Sequence, residues 1–272
     1  MLLERAVNAL RHWLLALQFF TRIPVTGRLA AWVGYSPAML RASAGHFPGI
    51  GWVVGALGAG ALWLAMQGLP AGPLGALVAA ALSTAATVWL TGAFHEDGLA
   101  DTADGLGGGQ TRERTLAIMK DSRIGSYGSV ALLLTLLIKV ALLALLAGQG
   151  AGPAALALLA AHVLSRLAPL LLMRALPYVG DADGSKSKPL ADAVSRTGVG
   201  VGILWSIPAL ALLWSAQTAS GLIASIVAWS LVLAYMTRLL QRRLQGFTGD
   251  TLGATQQLCE VALLLGVALT WT

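Results

Sequence analysis

Seven stretches of this chain run for about twenty residues with few charges, and in water such stretches have nowhere to go. They are Phe47–Gln67, Leu74–Phe94, Ser126–Ala147, Pro153–Leu176, Gly198–Ala216, Leu222–Arg238 and Thr255–Trp271. At about 1.5 Å of rise per residue, each is long enough, or nearly so, to cross a hydrocarbon core of about 30 Å. Inside lipid only helices and closed barrels satisfy their own backbone. These runs are rich in Ala, Leu and Gly and lack the alternating polarity of barrel strands, so the fold class is all-α. Composition agrees: 57% of the residues are hydrophobic and 11% charged, against about a quarter charged in a soluble domain. The expectation is a polytopic integral membrane helical bundle with about seven transmembrane helices, residues 1–272 forming a single domain. The stretch Val7–Val25 is apolar but interrupted by Arg11 and His12 and stopped by Arg22 and Pro24. It reads as an N-terminal interfacial helix lying on the lipid bilayer.

The charges orient the bundle. Arg5, Arg11, Arg22, Arg28 and Arg41 precede the first span; Arg112, Arg114, Lys120 and Arg123 follow the second. Lys186, Lys188 and Arg196 follow the fourth, and Arg242 and Arg243 the sixth. The alternate connections, Gly68–Pro73, Gly148–Gly152 and Gln217–Gly221, contain no Lys or Arg. The positive-inside rule then places the N-terminus in the cytoplasm and the C-terminus outside. The same placement accounts for the net charge of +6 without nucleic acid, which is not an expected partner. The single cysteine, Cys259, excludes an intrachain disulfide framework and a cysteine-built zinc site.

Of the 12 acids, all but Glu4 and Glu260 fall in the three large cytoplasmic connections, most densely in His95–Gly105. There Asp97, Asp101 and Asp104 are spaced i, i+4, i+7, which puts them on one face of a helix continuing from the second span. No Lys or Arg lies within the run. Three like charges on one face repel unless a cation binds. Hard cations such as Mg²⁺ take carboxylate oxygens together with waters and substrate phosphates, so these three are candidate Mg²⁺ ligands. Glu96 points about 100° away from Asp97 and, with His95, is a candidate for supporting the substrate. Gly107, Gly108 and Gly109 offer a backbone that a phosphate can approach closely. In Met119–Gly128, Lys120, Ser122 and Arg123 suit phosphate binding, and Asp121 is a candidate general base. Asp250, in the small-residue turn before the last span, could cap that helix or face the acidic run as the alternative base. Within the spans, Lys139, His162 and Arg166 call for a polar lining or a partner.

The run His95–Gly109, the segment Met119–Gly128, the early Ala16–Pro24 and the turn Thr248–Ala254 together resemble the cobalamin synthase family, the adenosylcobinamide-GDP ribazoletransferases. The resemblance extends from about Leu15 to Glu260 in the same order. It implies a Mg²⁺-dependent catalytic domain in the bacterial cytoplasmic (inner) membrane, with its active site on the cytoplasmic face. It implies a reaction joining adenosylcobinamide-GDP to α-ribazole or its 5′-phosphate with release of GMP, and leaves homo-oligomerisation open. Two other classes compete. Asp101-Thr102-Ala103-Asp104-Gly105 matches the opening of the CDP-alcohol phosphotransferase motif, but no Ala-Arg and no closing Gly-x-x-x-Asp-x-x-x-Asp follow. A transporter would carry its ionisable groups near the membrane midplane, whereas these cluster at one face.

Overall fold

The computed structural model describes residues 2–180, 194–215 and 217–270. Among them there is helix and no strand; Tyr178 and Phe247 form an isolated bridge. Lys186, Lys188, Ala216 and Trp271 lie outside the described residues. Four helices precede the first connection: α1 (Leu2–Phe20), α2 (Gly27–Val33), α3 (Pro37–Ser43) and α4 (Phe47–Gly68). Then come α5 (Pro73–Thr91), α6 (Phe94–Gly108), α7 (Arg112–Met119), α8 (Ser126–Gln149), α9 (Ala151–Ser165) and α10 (Leu167–Ala175). The chain closes with α11 (Arg196–Ser215), α12 (Ala219–Arg243) and α13 (Gly249–Leu269). Among the described residues seven helical segments are long and apolar enough to span a membrane, α3 with α4 and α9 with α10 each counting as one, and α1 is not among them. The chain is a multi-pass helical membrane protein.

Many large hydrophobic side chains are exposed on the spanning helices. Leu133, Leu204 and Leu231 are each about two-thirds exposed, which suits a lipid solvent and no other. Where helices meet, small residues replace bulky ones. A Cβ on Gly51 would stand 2.5 Å from the His162 carbonyl oxygen, and one on Gly55 would stand 3.0 Å from Leu159 Cα. With no hydrophobic drive between helices in lipid, such close backbone packing supplies the dispersion energy.

Three expectations are corrected. The acidic helix does not continue from the second span: Gly92 and Ala93 both take left-handed backbone (φ 68° and 59°), end α5 and start α6 in a new direction. The helix launched there packs against α8 and α13. The fourth span is two helices: Arg166 ends α9, and its backbone amide bonds Val163 O in a tightened turn before α10. The last two spans also start earlier, at Ala219 and Gly249, because polar Thr218 and Thr248 cap them by accepting from Gly221 N and Thr251 N.

Candidate active site

The site forms where α6 crosses the first turn of α13. Glycines make the crossing close: a Cβ on Gly98 would meet the Asp250 carbonyl oxygen at 2.7 Å, and one on Gly253 would meet His95 O at 3.2 Å. Chain segments about 150 residues apart thereby bring Asp250 to the face that carries Asp97 and Asp101. Thr248, not Asp250, caps α13, in a reciprocal box with Thr251. Asp250 is left on the first turn, where it accepts a 3.3 Å hydrogen bond from Thr248 Oγ1.

The electrostatics follow from this crowding. Burial, and then the carboxylates of Asp97, Asp250 and Asp104, push the Asp101 carboxyl up to about 7. Among the described residues neither Asp97 nor Asp101 has an ion-pair partner. Hard oxygen donors without an internal counter-charge fit a divalent cation. Among the described residues, however, no group of three His, Cys, Asp or Glu side chains is placed to hold a metal ion unaided.

Asp104 stands apart from the other two. Its Oδ2 accepts from Gly125 N at 2.6 Å and its Oδ1 from Gly128 N at 2.8 Å, and it is buried. It caps the N-terminus of α8 across the fold, where a negative charge meets the positive end of the helix dipole. Of the three acids spaced along α6, Asp104 is the one that hydrogen-bonds the start of α8, while its charge still reaches Asp101.

The remaining candidates divide likewise. Gly107 and Gly108 complete the last turn of α6, and the Gly109 amide bonds back to Gly105 O, so the triplet is no open phosphate loop. Their missing Cβ atoms admit neighbours instead: a Cβ on Gly107 would meet the Tyr127 ring, and one on Gly109 would meet Thr115. Lys120 and Ser122 are exposed beside α7. Arg123 is clasped by Asp121 through Nε at 3.0 Å and Nη2 at 2.6 Å, in an ion pair open to solvent. Those hydrogen bonds hold the Asp121 carboxyl down to about 2, and it takes no part in the field at Asp101. His95 is buried among Phe20, Phe47 and Phe94, stacked 5.6 Å from the Phe47 ring, and burial holds it well below the usual histidine range. Glu96 points inward and accepts from Gln257 Nε2 at 2.9 Å; burial raises its pKa.

Beneath the crossing, Glu260 of α13 takes Lys139 of α8 at 2.5 Å and Gln256 Nε2 at 2.7 Å. His162 Nδ1 lies 3.0 Å from the same carboxylate, and Gln256 also reaches Ser165 Oγ. Arg166 donates to His162 O at 2.7 Å and lies over the Phe47 ring. The partner that Lys139 required is therefore Glu260. Sequence reasoning missed Gln256, Gln257 and Glu260, although polar residues inside an apolar span are the signal that finds them. It also missed Arg243, which donates to Leu106 O and Gly109 O, and Arg112, which donates to Leu244 O.

Comparison with known proteins covers nearly the whole chain. The family model described as cobalamin-5-phosphate synthase matches residues 12–268. The chain is 58% identical to the adenosylcobinamide-GDP ribazoletransferase of Albidiferax ferrireducens, over 96% of this chain and 98% of the relative. It is 56% identical to that of a Polaromonas species (96% and 97%) and 48% identical to that of Leptothrix cholodnii (96% of each). No solved structure matches.

Proposed function

The chain belongs to the cobalamin-5-phosphate synthase family, and from that membership and the α6–α13 crossing we propose that it joins adenosylcobinamide-GDP to α-ribazole, or to α-ribazole 5′-phosphate, releasing GMP. It is an enzyme of cobalamin synthesis, in a family whose curated members are named adenosylcobinamide-GDP ribazoletransferase. The observation that carries the reading is the arrival of Asp250 at the face of Asp97 and Asp101, a set of carboxylates that lacks a counter-charge.

In the reaction a ribose hydroxyl attacks the phosphorus attached to cobinamide and GMP leaves with the diphosphate's bridging oxygen. Little covalent work falls to the protein; positioning and charge carry the barrier. Asp97 and Asp101 would hold Mg²⁺, in keeping with the one or two carboxylates such ions usually take from a protein, and the ion would supply charge compensation to the diphosphate. Asp104 holds the α8 N-terminus and Gly125 against α6, which keeps Asp101 in place. Asp250 accepts the hydroxyl proton from the α13 side. Asp121 is poorly suited to that role, since a carboxyl held near 2 by Arg123 is a weak base. Lys120 binds phosphate oxygens that the metal leaves uncovered; Arg123 joins it once Asp121 releases the guanidinium. Along the sequence the basic connections alternate with connections free of Lys and Arg, which supports a cytoplasmic active site in a bacterial inner membrane.

Purified protein in lipid nanodiscs, supplied with adenosylcobinamide-GDP and α-ribazole, should release GMP only when Mg²⁺ is present. Absence of GMP release, or turnover of a CDP-alcohol or ion flux in liposomes instead, overturns the reading.

A further inference from the structure

A cavity of ligand size lies outside the crossing. It is an open hollow of about 690 Å³ between the C-terminal end of α1, the Thr21–Thr26 segment and the start of α3. Binding sites for small organic ligands usually occupy 300–1,000 Å³, so this one is of ligand size. Its wall is mostly apolar, with Leu15, Phe19, Ile23, Pro24 and Tyr35, and one cation, Arg22, on its edge. The Arg22 guanidinium is exposed and has no carboxylate partner among the described residues.

The hollow is tied to the active site by covalent neighbours and by direct contacts. The Arg22 amide donates to Leu90 O at 2.7 Å, at the end of α5. The Arg22 side chain lies across Gly92, where a Cβ would stand 2.9 Å from Nε. Gly92 is the first of the two left-handed residues that launch α6. Phe19, in the cavity wall, meets Phe94, the first residue of α6, edge to face at 5.8 Å. Asp97 follows Phe94 by one turn and shares its side of the helix. A ligand seated in the hollow thus has its cationic edge beside the turn that leads directly to the acidic face.

A planar apolar group joined to one anionic group fits this distribution; a polyanion does not. The donor's diphosphate belongs to the Mg²⁺ face, which leaves the acceptor. We infer that the hollow is the acceptor site, holding the benzimidazole base of the ribazole against Ile23, Pro24 and Tyr35, with the 5′-phosphate on the Arg22 guanidinium. The inference rests on the proposed reaction and adds to it a residue that selects the phosphorylated acceptor.

The test is equilibrium binding to the full-length protein in nanodiscs without donor, using α-ribazole 5′-phosphate, α-ribazole and inorganic phosphate as separate probes. Arg22→Gln should weaken binding of the phosphorylated acceptor by about ten- to a hundredfold, the range of one charge-assisted hydrogen-bonded contact. It should move α-ribazole by less than about threefold, and Arg22→Lys should recover part of the loss. Thr26→Trp, which fills the mouth of the hollow without altering a charge, should weaken both acceptors together. Unfolding of Arg22→Gln, read from its melting curve, would leave Arg22→Lys and Thr26→Trp to decide. Equal weakening of both acceptors by Arg22→Gln, or unchanged binding in both Arg22→Gln and Thr26→Trp, as expected of a cavity filled by lipid, overturns the inference. GMP release by a wild-type protein whose variants bind normally would sink the acceptor site alone; no GMP release by wild type would sink the proposed reaction.

Discussion

Asp101 and Asp104 are one turn apart on α6 and meet opposite surroundings. Asp104 is satisfied by two backbone amides of the α8 N-terminus, whereas Asp101 faces other acids and is pushed up to about 7 from 3.8. A carboxyl whose folded value is raised holds its proton longer folded than unfolded. Without a cation, stability should therefore fall as pH rises from about 4 to about 7 and level off above. Melting temperatures in EDTA across pH 4–8 should show that slope, and Mg²⁺ should flatten it. Asp101→Asn should lose Mg²⁺-dependent turnover yet melt no lower than wild type at pH 8; a clear drop there would contradict the charge-repulsion argument. Asp104→Asn should instead cost about 1–3 kcal/mol of stability, because one of the two amides loses a charged acceptor.

At the scale of elements, the site exists only because α6 and α13 can touch. Gly98→Ala favours helix by about 0.5–1 kcal/mol on intrinsic grounds, but its Cβ would lie 2.7 Å from Asp250 O and must part the two helices. Turnover should fall about tenfold or more while helix content, followed by circular dichroism, is retained; near-normal kcat would mean that the Asp250 approach is dispensable. Below the crossing, the Lys139–Glu260 pair pins α8 to α13 in a buried setting. Removing one partner leaves a buried charge, so Glu260→Gln or Lys139→Met should each cost about 3–5 kcal/mol. The double variant should cost less than the sum, and additive losses in a double-mutant cycle would show the pair to be uncoupled.

For the whole molecule, topology follows from loop charge. A reporter fused after Thr272 should read outside and one inserted within Gln110–Arg114 should read cytoplasmic; a cytoplasmic C-terminus would mean that a span had been miscounted. Both the acidic crossing and the α1–α3 hollow adjoin the α5–α6 turn, so soluble substrates need reach only one face of the bundle.

The amino-acid sequence alone determined the class, the spans and the acidic run, because a bilayer reads hydropathy and length locally and a helix reads its spacing over a few residues. Seven apolar stretches could not become anything but a membrane bundle. It also exposed the four segments that mark the family. Only the tertiary structure decided which acids cooperate. Spacing groups Asp104 with Asp97 and Asp101, but the amides of Gly125 and Gly128 claim it, and Asp250 arrives from the far end of the chain. The partner of Lys139 was equally hidden, since Glu260 follows it by more than a hundred residues. Likewise Asp121, next to two cations in sequence, is spent on one of them. Such assignments depend on which helices cross and how closely, and that is set by glycines whose significance appears only when a second backbone lies against them.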